Sequence, residues 1–195
     1  MISGHCEFDF IILVDSSGSV TYDAAIGKTV LERWDQVLYM VRYLIAIIDS
    51  YSTIGVTSRV AIINYSINVT TVVDLSDKLS KDQLIAVIDS GGIEYQKSTT
   101  YTYAAMQLAT DMLSTNARHV SGRISATQAV ILFTDGHASD IPKGYTNTSE
   151  ICPDLVPSLN CNALLRAQAE VQYLKFVHDV FYALMDKGVH VIMVG

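Results

Sequence analysis

The chain has 195 residues, half of them hydrophobic and only 17% charged, enough to bury one substantial core and within the size range of a single α/β domain. Its net charge of -7 leaves no basic stripe to neutralise phosphates, which argues against a nucleic-acid partner and suits cation binding better. The longest apolar stretch, Val37 to Ile48, is broken by Arg42 and falls short of the roughly 20 residues that cross a bilayer, so it reads as a core helix and not a membrane span.

Met1 to Glu7 has neither the charged region nor the apolar stretch of a secretion signal, so any such signal is expected to have been removed or to lie outside this sequence. Phe8 to Val14 is an apolar run that predicts the first buried strand, and Asp15 to Ser19, reading DSSGS, follows it directly. Val30, Trp34, Val37, Leu38, Val41, Leu44, Ile45 and Ile48 recur at three- and four-residue intervals, which predicts a long amphipathic helix covering that strand and closed off near Gly55. Trp34 lies on its apolar stripe and is expected in the core. Arg59 to Tyr65 and Val69 to Val73 read as two strands around a tight turn at Ser66 to Asn68, an antiparallel hairpin at the sheet edge.

Asp82 to Ile88 predicts a short helix, and Gly91-Gly92 breaks the chain before a loop running to Thr100. Ala105, Leu108, Ala109 and Met112 mark the apolar face of the next helix, and Ala129 to Phe133 is typical of a central parallel strand, ended by Asp135-Gly136. From 137 to 161 the composition turns polar and Pro/Gly-containing, the mark of a long surface insertion. Cys152 and Cys161 enclose Pro153, Pro157 and Asn160, a loop suited to a local disulfide and not to a zinc site; Cys6 is left over. Ala167, Val171, Leu174, Val177, Phe181 and Leu184 predict a long helix that Gly188 stops, and Val189 to Val194 is the last strand. Strands alternating with helical periodicities predict one doubly wound, mostly parallel sheet with an antiparallel edge strand and helices on both faces. No repeat, linker or low-complexity tract divides residues 1–195.

Asn-X-Ser/Thr sequons stand at Asn64, Asn68 and Asn147. Asn147, in the polar segment, is the best-placed candidate, whereas Asn64 sits inside a predicted strand. Sequons beside a bridged loop point to the secretory pathway and an extracellular setting.

A sheet of this kind gathers ligands at the carboxyl ends of its strands. Three polar clusters fall there: Asp15, Ser17 and Ser19; Thr99-Thr100 with Thr102; and Asp135. A carboxylate followed at alternate positions by two hydroxyls suits a hard divalent cation, because Mg²⁺ takes oxygen ligands and keeps several waters. The plainer reading of DSSGS is a helix cap or a turn.

These residues carry a resemblance to the von Willebrand factor type A domain and its metal-ion-dependent adhesion site (MIDAS). The DxSxS pattern is met by DSSGS at Asp15 to Ser19, the later threonine by TYTYAAM from Thr100 to Met106, and the final aspartate by TDG at Thr134 to Gly136. The motifs stand in the family's order on the expected elements, and the resemblance spans essentially the whole chain. It implies that Ser17, Ser19 and Thr100 are hydroxyl ligands and that Asp15 and Asp135 bind directly or through water. It also implies Mg²⁺ in the site, with Mn²⁺ or Ca²⁺ as alternatives, and a partner protein whose Glu or Asp carboxylate completes the octahedron. Collagen and other matrix proteins are frequent partners in the family. The family's further helix after the last strand is not in the sequence, so no conformational switch is inferred.

His137 after the TDG turn reads as a ligand neighbour or, more simply, as a solvated surface residue, and Asp140 equally as a hydrogen-bond acceptor or a turn. Tyr101 and Tyr103 suit either a partner surface or packing of their own loop. The resulting expectation is a cation-dependent protein-binding module of a secreted matrix or cell-surface protein. The alternative is a structural repeat unit of a matrix that holds no specific ligand. An enzyme is not expected, since there is no GxSxG elbow, no GxxxxGK loop and no carboxylate pair with an obvious base.

Overall fold

The computed structural model of the protein describes residues 7–23, 25–115, 126–135, 184–186 and 188–194. Its elements run β1 (Glu7–Asp15), β2 (Tyr22–Asp23), β3 (Lys28–Thr29), α1 (Glu32–Ser50), β4 (Thr57–Tyr65), β5 (Val69–Val73), α2 (Lys81–Asp89), α3 (Thr102–Thr115), β6 (Thr127–Phe133) and β7 (Val189–Val194). A five-stranded sheet takes the order β5-β4-β1-β6-β7, parallel throughout except for the β4–β5 pair, so β1 lies at its centre.

Because successive side chains of a strand point to opposite faces, the apolar run of β1 serves two cores at once. Ile11 and Leu13 join Ala105, Met106 and Ala109 of α3 in one buried cluster, while Ile12 and Val14 join Trp34, Val41 and Ile45 of α1 in the other. Trp34 is buried, as its place on the stripe predicts. Every strand expected from the sequence is present, and the β4–β5 hairpin is the antiparallel edge.

Two glycines mark real backbone demands. Gly55, at φ 83°, takes the left-handed conformation that ends the turn after α1. At Gly92 a Cβ would stand 2.7 Å from both Cγ1 and the carbonyl oxygen of Val87, so only glycine lets the chain leave α2 this closely. α2 begins on a capping box in which the Ser80 and Gln83 side chains each accept from the other's backbone N–H.

The first helix departs from expectation at its start. Val30 is not helical: its N–H donates to the Thr21 carbonyl at 2.8 Å, and the β2–β3 ribbon occupies the chain just before α1. Arg33 holds that ribbon, donating to the Tyr22 carbonyl at 2.8 Å and to Asp23 at 2.6 Å. Two-residue strands carry no apolar period, so nothing in the sequence announces them.

At the end of the sheet where β1 begins, Arg59 and Asp9 form a bidentate ion pair at 2.8 and 2.6 Å with both side chains buried. Asn64 is buried too, and its Nδ2 donates to the Glu94 carbonyl at 2.8 Å, so the folded chain leaves that nitrogen no room for a glycan. Asn68 is exposed in the hairpin turn. The segment 137–161 with Cys152, Cys161, Asn147, His137 and Asp140, Cys6, and the expected helix before Leu184 lie outside the described residues. Among the described residues no helix is long and apolar enough to cross a membrane.

Candidate metal centre

Strand register assembles the site before any side chain contributes. In the β1–β6 pairing Val14 lies beside Phe133, so the chain leaves the sheet at Asp15 and Thr134 side by side. Asp15 Oδ2 accepts the Thr134 hydroxyl at 2.8 Å, and Oδ1 accepts the Ser17 N–H at 2.9 Å. The second bond is the local turn that an aspartate in this position favours. It is not a helix cap, because the chain continues into a single 3-10 turn, Ser19–Thr21, that lacks a side-chain cap.

Asp15 is only 1% exposed. Burial pushes its carboxyl above the usual carboxylate range; hydrogen bonds from the Ser17 side chain, the Ser17 N–H and the Thr134 hydroxyl pull it down, and the nearby Asp135 charge raises it again. A carboxylate withdrawn from water beside another negative group is an environment that a cation improves on both counts. Each carboxylate oxygen also has a second lone pair beyond the bonds just described.

Ser17 is fully buried, and its hydroxyl meets that of Ser19 at 3.0 Å. The alternation of DSSGS thus turns both hydroxyls to the same side while Ser16 points away and bonds the Tyr65 carbonyl through its own hydroxyl at 3.0 Å. The Thr100 loop is laid against this segment by two backbone bonds, Lys97 N–H to the Ser16 carbonyl at 3.0 Å and Gly18 N–H to the Ser98 carbonyl at 2.9 Å. They flank Ser17 on either side. Ser66 secures the far end of the loop, its hydroxyl donating to the Thr99 carbonyl at 2.6 Å and its carbonyl accepting the Tyr101 N–H at 3.0 Å. Of the two adjacent threonines, Thr100 is buried and Thr99 exposed. Thr102 is buried at the start of α3, and Tyr101 and Tyr103 are half-buried.

The sheet edge therefore gathers Asp15, Ser17 and Ser19, the buried Thr100, and Asp135, which is exposed and near enough to act on Asp15. All are oxygen donors of the kind Mg²⁺ prefers, and among the described residues no three His, Cys, Asp or Glu side chains cluster, so a cation here draws on the hydroxyls. The donor chemistry fits a hard divalent ion. The sequence presents Thr134 only as a letter of the TDG turn; its bond to Asp15 comes from strand register, which no local motif signals. Beside the cluster opens a cleft of about 420 Å³, lined by Asp15, Thr134 and Asp135 together with the apolar Val20, Val37, Met40, Phe133 and Val194.

A model of the von Willebrand factor type A domain matches residues 9–156, well over half of the chain. Among curated proteins none matches. In fold the chain is similar to proximal thread matrix protein 1 (PTMP1) from the mussel byssus, with a TM-score of 0.62 and 20% identity over 97% of this chain and 37% of that one. A structure of the same mussel protein with a zinc-occupied MIDAS motif matches with a TM-score of 0.57 and 21% identity, over 97% of this chain and 38% of that one. The chain thus spans well under half the length of the mussel protein.

Proposed function

The chain belongs to the von Willebrand factor type A family, and on that footing we propose that it is a divalent-cation-dependent protein-binding module of a secreted matrix or cell-surface protein. The observation that carries this reading is the buried Asp15 carboxylate, set beside the converging hydroxyls of Ser17 and Ser19 and within electrostatic reach of Asp135. Ser17, Ser19 and Thr100 would offer neutral oxygens, and Asp15 and Asp135 the charge, directly or through water. We take Mg²⁺ as the ion, with Mn²⁺ or Ca²⁺ as substitutes; zinc in the mussel relative's MIDAS motif supports a divalent ion in this position. Once bound, the cation supplies an electron-poor centre that accepts a Glu or Asp carboxylate from a partner, collagen or another matrix protein being the expected kind.

The chain's own residues make that exchange possible. Thr134 and the Ser17 N–H hold Asp15 in one orientation, and the paired loops keep Ser17 and Thr100 in register, so little ordering remains for the moment of binding. With hydroxyls as most of the donors, the cation keeps much of its charge for the partner. We read the site as adhesive and not catalytic for the same reason, since its groups are cation donors and not a nucleophile with a base. Glycans on Asn68 and Asn147 and a Cys152–Cys161 bridge belong to the same extracellular reading.

Capture from a matrix extract tests it. Wild type should retain a partner in Mg²⁺ and release it in chelator, and Asp135→Ala should retain nothing while melting as wild type does in chelator. Retention unaffected by chelator would sink the proposal. Likeness to a thread matrix protein favours a second reading, a load-bearing unit whose site is filled without a specific ligand; metal binding with no metal-dependent capture would select it.

A further inference from the structure

The two loops that carry the hydroxyl donors are joined by a side-chain bridge that the site itself does not account for. Tyr95, in the loop leading to Thr100, hydrogen-bonds through its phenol oxygen to the hydroxyl of Thr21, just past the DSSGS segment. Thr21 is fully buried, and its hydroxyl also lies 3.5 Å from the Gly18 carbonyl, between Ser17 and Ser19. The Tyr95 ring packs on Trp34 of α1, with centroids 5.4 Å apart and planes inclined at 34°. One half-buried side chain thus touches the metal loop through a polar atom and the core beneath it through its ring.

The backbone beside it is under strain. Lys97 is a non-glycine residue at φ 53°, a left-handed conformation that costs on the order of 1 kcal/mol and persists only where surrounding contacts over-determine it. Here those contacts are the Lys97–Ser16 and Ser98–Gly18 backbone bonds, the same pair that flanks Ser17. A strained loop held against a metal segment needs a fastening outside the strained stretch, and Tyr95 stands two residues before it.

We propose that Tyr95 is a positioning residue for the cation site: through the Thr21 hydroxyl it fixes the Thr100 loop on the DSSGS segment, and so sets the affinity for the ion without touching it. This rests on the metal-binding reading above. Residues that orient metal ligands from behind typically cost about 10–100-fold in affinity when removed, and Tyr95, which reaches the donor segment only through Thr21, belongs at the lower end. Sequence spacing gives no hint of the pair, whose members are 74 residues apart.

Tyr95→Phe removes one oxygen and leaves the ring, and Trp34, the single tryptophan of the chain, reports whether the stack survives. Mg²⁺ is titrated calorimetrically into wild type, Tyr95→Phe, Thr21→Val and the double variant, with Trp34 emission recorded in chelator for each. Each single variant should bind Mg²⁺ roughly 10-fold more weakly with unchanged emission, and the double should lose no more than either single, because both remove the same bond. Wild-type affinity in Tyr95→Phe or in Thr21→Val overturns the proposal. Losses that multiply in the double variant overturn it as well, since the hydroxyls would then act separately. An altered emission spectrum in Tyr95→Phe with normal emission and full affinity in Thr21→Val assigns Tyr95 to packing alone. If wild type takes up no Mg²⁺, Mn²⁺ or Ca²⁺, the metal-binding reading falls first and this one with it.

Discussion

Replacing Asp15 by Asn separates the charge of the buried carboxyl from its shape. The amide keeps an oxygen to accept the Ser17 N–H and offers an NH₂ that donates to the Thr134 oxygen, so both bonds of the wild type, at 2.9 and 2.8 Å, have counterparts once the Thr134 hydroxyl turns. What disappears is an ionised group held out of water beside Asp135. The folded pKa of Asp15 lies above its unfolded value, so the native state holds the proton more tightly. Its stability is therefore greatest below the ordinary carboxylate range and falls as pH rises through the raised value. The metal-free wild type bears that cost wherever Asp15 is ionised. Two charge-assisted bonds become neutral in the variant, which offsets part of the gain, at roughly 0.5–1 kcal/mol each. Desolvation is the largest influence on Asp15, so the variant should melt above wild type in chelator, by about 2–4 °C for each 1 kcal/mol of gain that survives this offset. In Mg²⁺ at 100 times its dissociation constant, wild type gains about 2.7 kcal/mol by mass action and Asp15→Asn gains nothing. The order of stability then inverts between chelator and Mg²⁺. Thermal melts of both proteins at neutral pH in the two conditions show this directly. A variant less stable than wild type in chelator would refute the claim that burial dominates at Asp15, and a variant that still responds to Mg²⁺ would remove Asp15 from the donor set.

Ser17→Ala deletes one of two hydroxyls that meet at 3.0 Å, and should weaken Mg²⁺ binding by about 10-fold in calorimetry while changing stability in chelator by about 1 kcal/mol or less. Asp9→Ala strands a buried guanidinium at the other end of the sheet and should cost about 3–5 kcal/mol by urea unfolding; the double replacement Asp9→Leu with Arg59→Met should recover most of it, and neither should alter Mg²⁺ affinity. Expressed through a secretory host, Asn68→Gln should lose one glycan by intact mass, whereas Asn64→Gln should lose none, because Asn64 is buried with its Nδ2 bonded to Glu94.

What could be read from the sequence follows a physical division. Buried parallel strands announce themselves as apolar runs, so Phe8 to Val14, Ala129 to Phe133 and Val189 to Val194 fall inside β1, β6 and β7. The β2–β3 ribbon rests instead on Arg33 reaching back to Tyr22 and Asp23, a tertiary contact with no periodicity to betray it. The candidate donors divide in the same way. Asp15, Ser17 and Ser19 share one segment, and alternation alone brings two hydroxyls together. Thr100 and Asp135 are legible only as motif pieces in order, since the Thr100 loop is laid on the DSSGS segment by the clamp at Ser16 and Gly18, and Asp135 is brought near Asp15 by the pairing of β1 with β6.

That pairing matters more than the motif letters suggest. With Val14 beside Phe133, the first side chain past the end of β6 to meet the buried Asp15 is the hydroxyl of Thr134, a donor that an ionised carboxylate can use. A slip of one residue would set Asp135 there instead. Two carboxylates would then share a buried position, where one of them stays protonated and is lost as a charged donor. Parallel register, fixed by the interlocking of Ile12, Val14, Ile131 and Phe133 in a single core cluster, is therefore a determinant of the site's charge. A core substitution far from any donor, if it loosened β6 against β1, should weaken cation binding before it unfolds the chain.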